Sequence, residues 1–252
     1  MKKMMVKLCS WMWLGLTLCT VSATVNAKDV TIAVANNFLG PMKALVVDFG
    51  SISNHNVSLS TGSTGQLYAQ IVNGAPFDLF FAADTVRPHQ LAKKGLASNE
   101  FVYAQGQLVL WSPTPSYING VKQTLLKPSV KYIALPNPDL APYGFAAMQV
   151  MEQEGILNVT KSKLIIAKGL NMAFQFADSG NANVAFLAKS QIYKNGQYID
   201  GSYVEIDKNL YDPIKQGAVL LKHGKENTAA IELLAYLQSD RAKLIMEQYG
   251  YL

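Results

Sequence analysis

The sequence predicts an α/β fold of two lobes, each a mostly parallel sheet flanked by helices, on three observations. Strand-like and helix-like runs alternate from Lys28 to the C-terminus, as in parallel strands joined by helical crossovers. The pattern changes character near Gln105, with two strand–loop–helix units before that point and two after it. Three of the loops that leave the strands, Asn36-Asn37, Gly62-Ser63-Thr64-Gly65 and Ala141-Pro142-Tyr143-Gly144, carry hydrogen-bond donors and no charge.

The elements follow in order. Val30 to Ala35 reads as a strand, and Phe38, Met42, Leu45 and Phe49 then recur at helical spacing, with Pro41 in the first turn, where a missing N–H costs nothing. Val57 to Thr61 is a second strand, followed by a helix carrying Leu67 and Ile71 and stopped by Gly74 and Pro76; Asp78 to Ala83 is a buried strand. Past the break come an apolar run at Leu108 to Ser112 and a loop-rich stretch from Pro113 to Gly120. Tyr132 to Leu135 then leads into a helix with Phe145, Met148 and Met151 that ends at Gly155. The fourth unit runs from Lys163 to Lys168, turns at Gly169-Leu170-Asn171, and continues as a helix through Phe174 and Ala177 to Gly180. Val184 to Ala188 and Gly217 to Lys222 are strands, and a helix is expected from Asn227 through Arg241 to Tyr249. This division predicts lobe 1 at 28–105 and 217–252 and lobe 2 at 106–216, with a ligand held between them at the carboxyl ends of the strands.

Residues 1–27 read as a secretory signal peptide: Lys2, Lys3 and Lys7 precede an apolar stretch from Leu8 to Val21, and Val25-Asn26-Ala27 is a small-residue cleavage site before Lys28. The chain is therefore expected to be exported and periplasmic. Leu18 before Cys19 argues against lipoprotein processing. Cys9 and Cys19 both fall in the leader, so disulfides, thiol nucleophiles and thiolate metal sites are excluded from the mature chain. The leader removes three of the five net positive charges and no acid, so the overall +5 becomes +2, which weakens any case for a nucleic-acid partner.

The uncharged loops point to an anion site. A helix N-terminus carries free N–H groups and roughly half a positive charge, so several such ends with hydroxyl and amide side chains bind an anion without Lys or Arg. Asn, Ser and Thr are also the ordinary helix caps, so each loop alone is ambiguous; the series of them is the signal. His55, His89 and His223 are isolated, and there is no metal-ligand spacing, nucleophile elbow or Walker loop. Asp78 and Asp84 bracket a strand and read as capping or turn residues, and the sequons at Asn56 and Asn158 are matches expected by chance.

The order of these segments resembles the periplasmic molybdate-binding proteins of ABC transporters. The most specific block is Thr61 to Leu67 followed by Gly74-Ala75-Pro76-Phe77-Asp78-Leu79-Phe80-Phe81-Ala82-Ala83-Asp84. Asn137 to Gly144 and the end from Leu237-Gln238-Ser239 to Tyr249-Gly250-Tyr251 match further segments, so the likeness covers the whole mature chain. It implies a type II-like two-lobe periplasmic binding protein. The ligand it implies is molybdate or tungstate, with no metal other than the molybdenum or tungsten of the bound oxyanion. The contacts it implies are Asn37 beside Asn36, Ser63 or Thr64 through hydroxyl and N–H, the Tyr143 N–H, and Asn171. The family places a ligand tyrosine where this chain has Ala188, and the Tyr143 phenol is the expected replacement.

The resemblance implies no catalysis and no cofactor, a transient complex with a membrane permease, and a monomer. A donor-only site rejects a protonated oxyanion, which disfavours phosphate, while sulfate differs from molybdate only in size. A binding protein for sulfate, phosphate or a carboxylate is the alternative; an exported hydrolase, with Ser63 and His89 as nucleophile and base, is the remote one.

Overall fold

The computed structural model describes residues 28–98 and 100–252; the expected leader, with both cysteines, lies outside them. β1 (Asp29–Ala35) runs through a 3-10 turn at Asn36–Phe38 into α1 (Leu39–Gly50). Then come β2 (Asn56–Gly62), α2 (Thr64–Val72), β3 (Leu79–Phe81), α3 (Val86–Lys93) and β4 (Phe101–Gly106). The chain crosses at Gln107 into β5 (Leu108–Ser112), α4 (Val121–Leu125), β6 (Ile133–Pro136), α5 (Pro142–Gln153), α6 (Leu157–Thr160), β7 (Leu164–Ala167), α7 (Leu170–Asp178) and β8 (Val184–Ala188). After α8 (Lys189–Ile192), the hairpin β9 (Tyr193–Lys194) and β10 (Gln197–Tyr198) and β11 (Ser202–Glu205), it returns as β12 (Ile214–Leu220), α9 (Thr228–Leu237) and α10 (Asp240–Gln248).

The strands form two five-stranded sheets, ordered β2-β1-β3-β12-β4 and β11-β5-β8-β6-β7. Each is mostly parallel, as the alternation predicts. In the first, only β12 runs antiparallel to its neighbours β3 and β4; in the second, only β5 opposes β8 and β11. The period of two along a strand divides the first sheet's core: Val30, Ile32 and Val34 of β1 pack with α1, α9 and α10, while Ala33 faces Leu67, Phe80 and Leu91 on the other side. The second lobe has its own core around Trp111, Val150 and Phe186.

Several elements escape the sequence reading. Only Pro88 and Leu91 of α3 are buried, so its apolar stripe is too thin to see. The helical end expected from Asn227 to Tyr249 consists of two helices. It breaks at Gln238-Ser239 because the Ser239 hydroxyl accepts the Ala242 N–H and caps a new start.

Asp48 on α1 ties both halves of that pair down: Arg241 Nη2 donates to Oδ1 at 2.5 Å and the Tyr236 hydroxyl to Oδ2 at 2.7 Å. Arg241 and then Tyr236 hold the Asp48 carboxyl below its ordinary value of 3.8. The folded-state value is depressed, so this contribution is present above pH 3.8 and is lost as the pH falls through the lowered value. Thermal unfolding of wild type and Asp48→Asn should therefore differ at neutral pH and converge in acid. A gap that persists in acid would show that the carboxylate's charge is not what the residue contributes.

Candidate anion-binding site

Four helical starts face one small space between the sheets. From the β1 side come Asn36 and Asn37, opening the 3-10 turn; Asn37 is buried. From β2 come Ser63 and Thr64, both buried. Ser63 is a reciprocal cap: its Oγ accepts the Gln66 N–H at 3.4 Å, and its own N–H donates to Gln66 Oε1 at 3.0 Å. That leaves the Ser63 hydroxyl hydrogen without an acceptor among the described residues. Thr64 Oγ1 accepts the Ala83 N–H at 3.0 Å, which fixes the hydroxyl and likewise leaves its hydrogen to donate.

The other lobe contributes α5 and α7. Pro142 opens α5 and Tyr143 is second, so the Tyr143 N–H has no acceptor inside the helix; Asn171 holds the same place in α7. Gly144 lets the α5 start lie flat on the end of β6, where a Cβ would overlap Pro136 O. The Tyr143 ring is 1% exposed; its hydroxyl fills the place a Cβ on Gly106 would take and faces the Tyr251 hydroxyl, without a hydrogen bond of ordinary length to any described residue. Burial holds the Tyr143 phenol well above its usual range and pushes Tyr251 beside it up to about 12, so both remain protonated donors at neutral pH.

Asn36, Asn37, Ser63, Thr64 and Tyr143 line a cavity of about 10 Å3, and none of its lining residues is charged. Leu170, not Asn171, completes that wall. Asn171 instead lines a larger neighbouring cleft of about 550 Å3, together with Asn36 and Asn37. Its side chain is engaged across the lobes: Nδ2 donates to Asn36 Oδ1 at a long 3.5 Å, and Gln191 Nε2 donates to its Oδ1 at 3.4 Å. Asn36 Oδ1 also accepts the Thr61 hydroxyl at 2.8 Å. Ala188 lines neither space.

The two lobes touch. The Gly65 N–H donates to Leu140 O and Arg87 Nη2 to Asp139 O, each at 2.9 Å. Arg87 is also paired with Asp84. The remaining histidines are occupied elsewhere: His89 with Glu100, His55 with Glu232, and His223 with Asp78. No hydrogen bond joins Ser63 to His89 among the described residues: Ser63 Oγ meets the Gln66 N–H and His89 meets Glu100. Among the described residues no group of three or more His, Cys, Asp or Glu could hold a metal ion.

The profile described as "bacterial extracellular solute-binding protein" matches residues 30–252. The chain belongs to that family. Two molybdate-binding proteins ModA are among the relatives of this solute-binding protein. That of Azotobacter vinelandii is 43% identical over 233 residues, 92% of each chain, and that of Rhodobacter capsulatus is 41% identical over 228 residues, 89% of this chain and 88% of the other. The solved periplasmic molybdate-binding protein of A. vinelandii superposes with a TM-score of 0.85 at 35% identity, covering 88% of this chain and 98% of that one.

Three residues of this solute-binding protein that the sequence does not assign to the site, Gln216, Tyr251 and Ser190, hold Asn37 in place. Asn37 Nδ2 donates to Gln216 Oε1 at 2.7 Å and to Tyr251 Oη at 2.8 Å. Asn37 O accepts from Ser190 Oγ at 2.7 Å and from the Tyr251 hydroxyl at 2.9 Å. The side-chain amide hydrogens of Asn37, expected to face a ligand, are thus both engaged, which leaves its backbone N–H as the donor in this arrangement. A polar glutamine just ahead of the apolar strand from Gly217 was the one visible signal; Gln216 is fully buried.

Proposed function

We propose that this protein captures a tetrahedral, fully ionised oxyanion, molybdate or tungstate, between its lobes and delivers it to a membrane ABC permease from the periplasm, as a monomer and without a chemical step. The observation that carries the reading is the small, uncharged cavity at which α2, α5 and α7 all begin. The ModA relatives, named for molybdate binding, support the same ligand.

The physical logic is recognition by fixed dipoles. Each hydrogen bond to a charged acceptor contributes about 1.5–3 kcal/mol net, so a handful from Asn37, Ser63, Thr64, Tyr143 and the α7 start offsets the cost of association. The Asn171 side chain then helps hold the lobes together across Asn36, while the start of its helix faces the anion. No sidechain cation is needed, because the anion is neutralised by helix ends that were desolvated when the protein folded.

Calorimetric titration of the chain from Lys28 with molybdate, tungstate, sulfate and phosphate tests the reading. Tight one-to-one binding of the first two, with no heat from the last two, is the expected result. Sulfate binding as tight as molybdate's would move the ligand class, and silence from all four would sink the oxyanion reading.

Closure gives a second expectation. A Cβ on Gly65 would meet Leu140 of the other lobe at 2.9 Å from Cδ2 and 3.1 Å from Cα. Gly65→Ala should hold the lobes apart at that point and break the Gly65 N–H bond to Leu140 O, lowering molybdate affinity roughly tenfold, the equivalent of about one such hydrogen bond. Small-angle scattering should show a variant that stays extended in molybdate; compaction equal to wild type would refute the closure.

A further inference from the structure

Among the described residues only two buried side-chain atoms lack a hydrogen-bond partner, Asn37 Oδ1 and Tyr143 Oη. Both residues line the small cavity. Buried polar atoms without partners are rare enough that a pair in one cavity points to a missing occupant. Tyr143 is simple, since its hydroxyl can donate to an anion oxygen. Asn37 Oδ1 is not, because it is an acceptor and a bare oxyanion offers it no hydrogen.

The orientation of Asn37 is imposed from behind. Gln216 Nε2 donates to Ile214 O at 3.1 Å, which turns Gln216 Oε1 toward Asn37 and makes it an acceptor there. Tyr251 gives its one hydroxyl hydrogen to Asn37 O, so it too meets the Asn37 side chain as an acceptor. Two acceptors behind Asn37 require Nδ2 to face them and leave Oδ1 turned away from them. Both partners can reverse. The Tyr251 hydroxyl can rotate onto Oδ1 while Ser190 keeps Asn37 O satisfied at 2.7 Å; turning the Gln216 amide to present Nε2 gives up its 3.1 Å bond to Ile214 O, a loss that the bonds Asn37 gains to the anion must offset.

We propose that Gln216 and Tyr251 are positioning residues that let Asn37 turn over when the anion enters, so that Nδ2 faces the ligand and Oδ1 faces Gln216 and Tyr251. This rests on the oxyanion reading and deepens it. Gln216 stands at the register shift in β12, where the chain re-enters the first lobe. Tyr143 Oη lies against Gly106, the last residue of β4 before the outward crossing. Occupation of the cavity is therefore felt at both strands that join the lobes, through groups that have two discrete hydrogen-bonded states.

The test is the side-chain amide signal of Asn37 in nitrogen-15 NMR spectra, assigned by its loss in Asn37→Asp, combined with molybdate calorimetry on the full mature chain. Without anion, both amide protons of wild type should be protected from exchange, and Gln216→Met and Tyr251→Phe should each expose them; unchanged exchange in both variants would overturn the positioning role. At saturating molybdate the wild-type signal should move to a new position, and an unmoved signal would overturn the turning-over. Gln216→Glu sets a buried carboxyl there that can donate while protonated but only accepts once ionised, so its molybdate affinity should fall as the pH rises, by about 100-fold in the ionised form, while Gln216→Met, which leaves Asn37 free to turn, should lose about threefold at every pH. Equal losses, or equal falls in ligand-free melting temperature that account for them, would assign both residues to structure alone. If wild type binds none of the four oxyanions, the proposed function fails, and the exchange measurement still decides whether Gln216 and Tyr251 orient Asn37.

Discussion

Gly144→Ala is expected to lower the melting temperature by roughly 10 °C, corresponding to about 3 kcal/mol in a domain of this size. A Cβ there would overlap Pro136 O and lie 2.9 Å from Pro136 C and 3.0 Å from Pro138 N. All three contacts are backbone atoms of prolines, Pro136 and Pro138, so no side chain can swing aside. Either the first turn of α5 lifts from the end of β6 or the strand end bends. Lifting α5 also displaces the Tyr143 N–H and phenol, so molybdate affinity should fall by at least tenfold, by loss of about one hydrogen bond to the anion. Scanning calorimetry with and without molybdate separates the two effects. A melting temperature within about 2 °C of wild type, less than 1 kcal/mol, would mean that this loop yields freely and that its close packing does not position the site.

Thr64→Val should be nearly as severe, for a different reason. Thr64 is 1% exposed and its Oγ1 is the acceptor for the Ala83 N–H. Valine keeps the shape but strands that buried N–H, at a cost of about 1–3 kcal/mol in ligand-free stability. It also removes a hydroxyl donor from the cavity, so molybdate binding should weaken by a further 10- to 100-fold, the range of one charge-assisted bond of about 1.5–3 kcal/mol. Thr64→Ser restores both functions of the oxygen and should recover most of each loss. If the serine variant binds as poorly as the valine one, the methyl group and its packing matter, and the hydroxyl leaves the account. Gly62, Ser63 and Gly65 would then carry the loop's contribution.

Much of this was legible in the residues. The strand and helix periods of Val30–Phe49, Val57–Ile71 and Tyr132–Met151 correspond to β1–α1, β2–α2 and β6–α5, because each has a clear apolar face. The uncharged Asn36-Asn37, Ser63-Thr64 and Tyr143 loops do meet around one cavity. Legibility failed where burial is slight or where a partner is remote. α3 buries too little to show a stripe, and the break before α10 rests on one serine cap. The direction of β5 and β12 could not be read either, since an apolar run has no polarity of its own.

The sequence by itself determined the α/β class, the alternation of strand and helix, and the supply of neutral donors at helix starts. All are set by residues within a turn or a strand of one another, where propensity, capping and period act locally. Only the tertiary structure decided what those donors do. Asn37 is turned by Gln216 and Tyr251, 179 and 214 residues away, and the Asn171 side chain is drawn to Asn36, 135 residues away. Which way an amide faces depends on which acceptors surround it, and two sheets from distant parts of the chain supply those only once they have packed together.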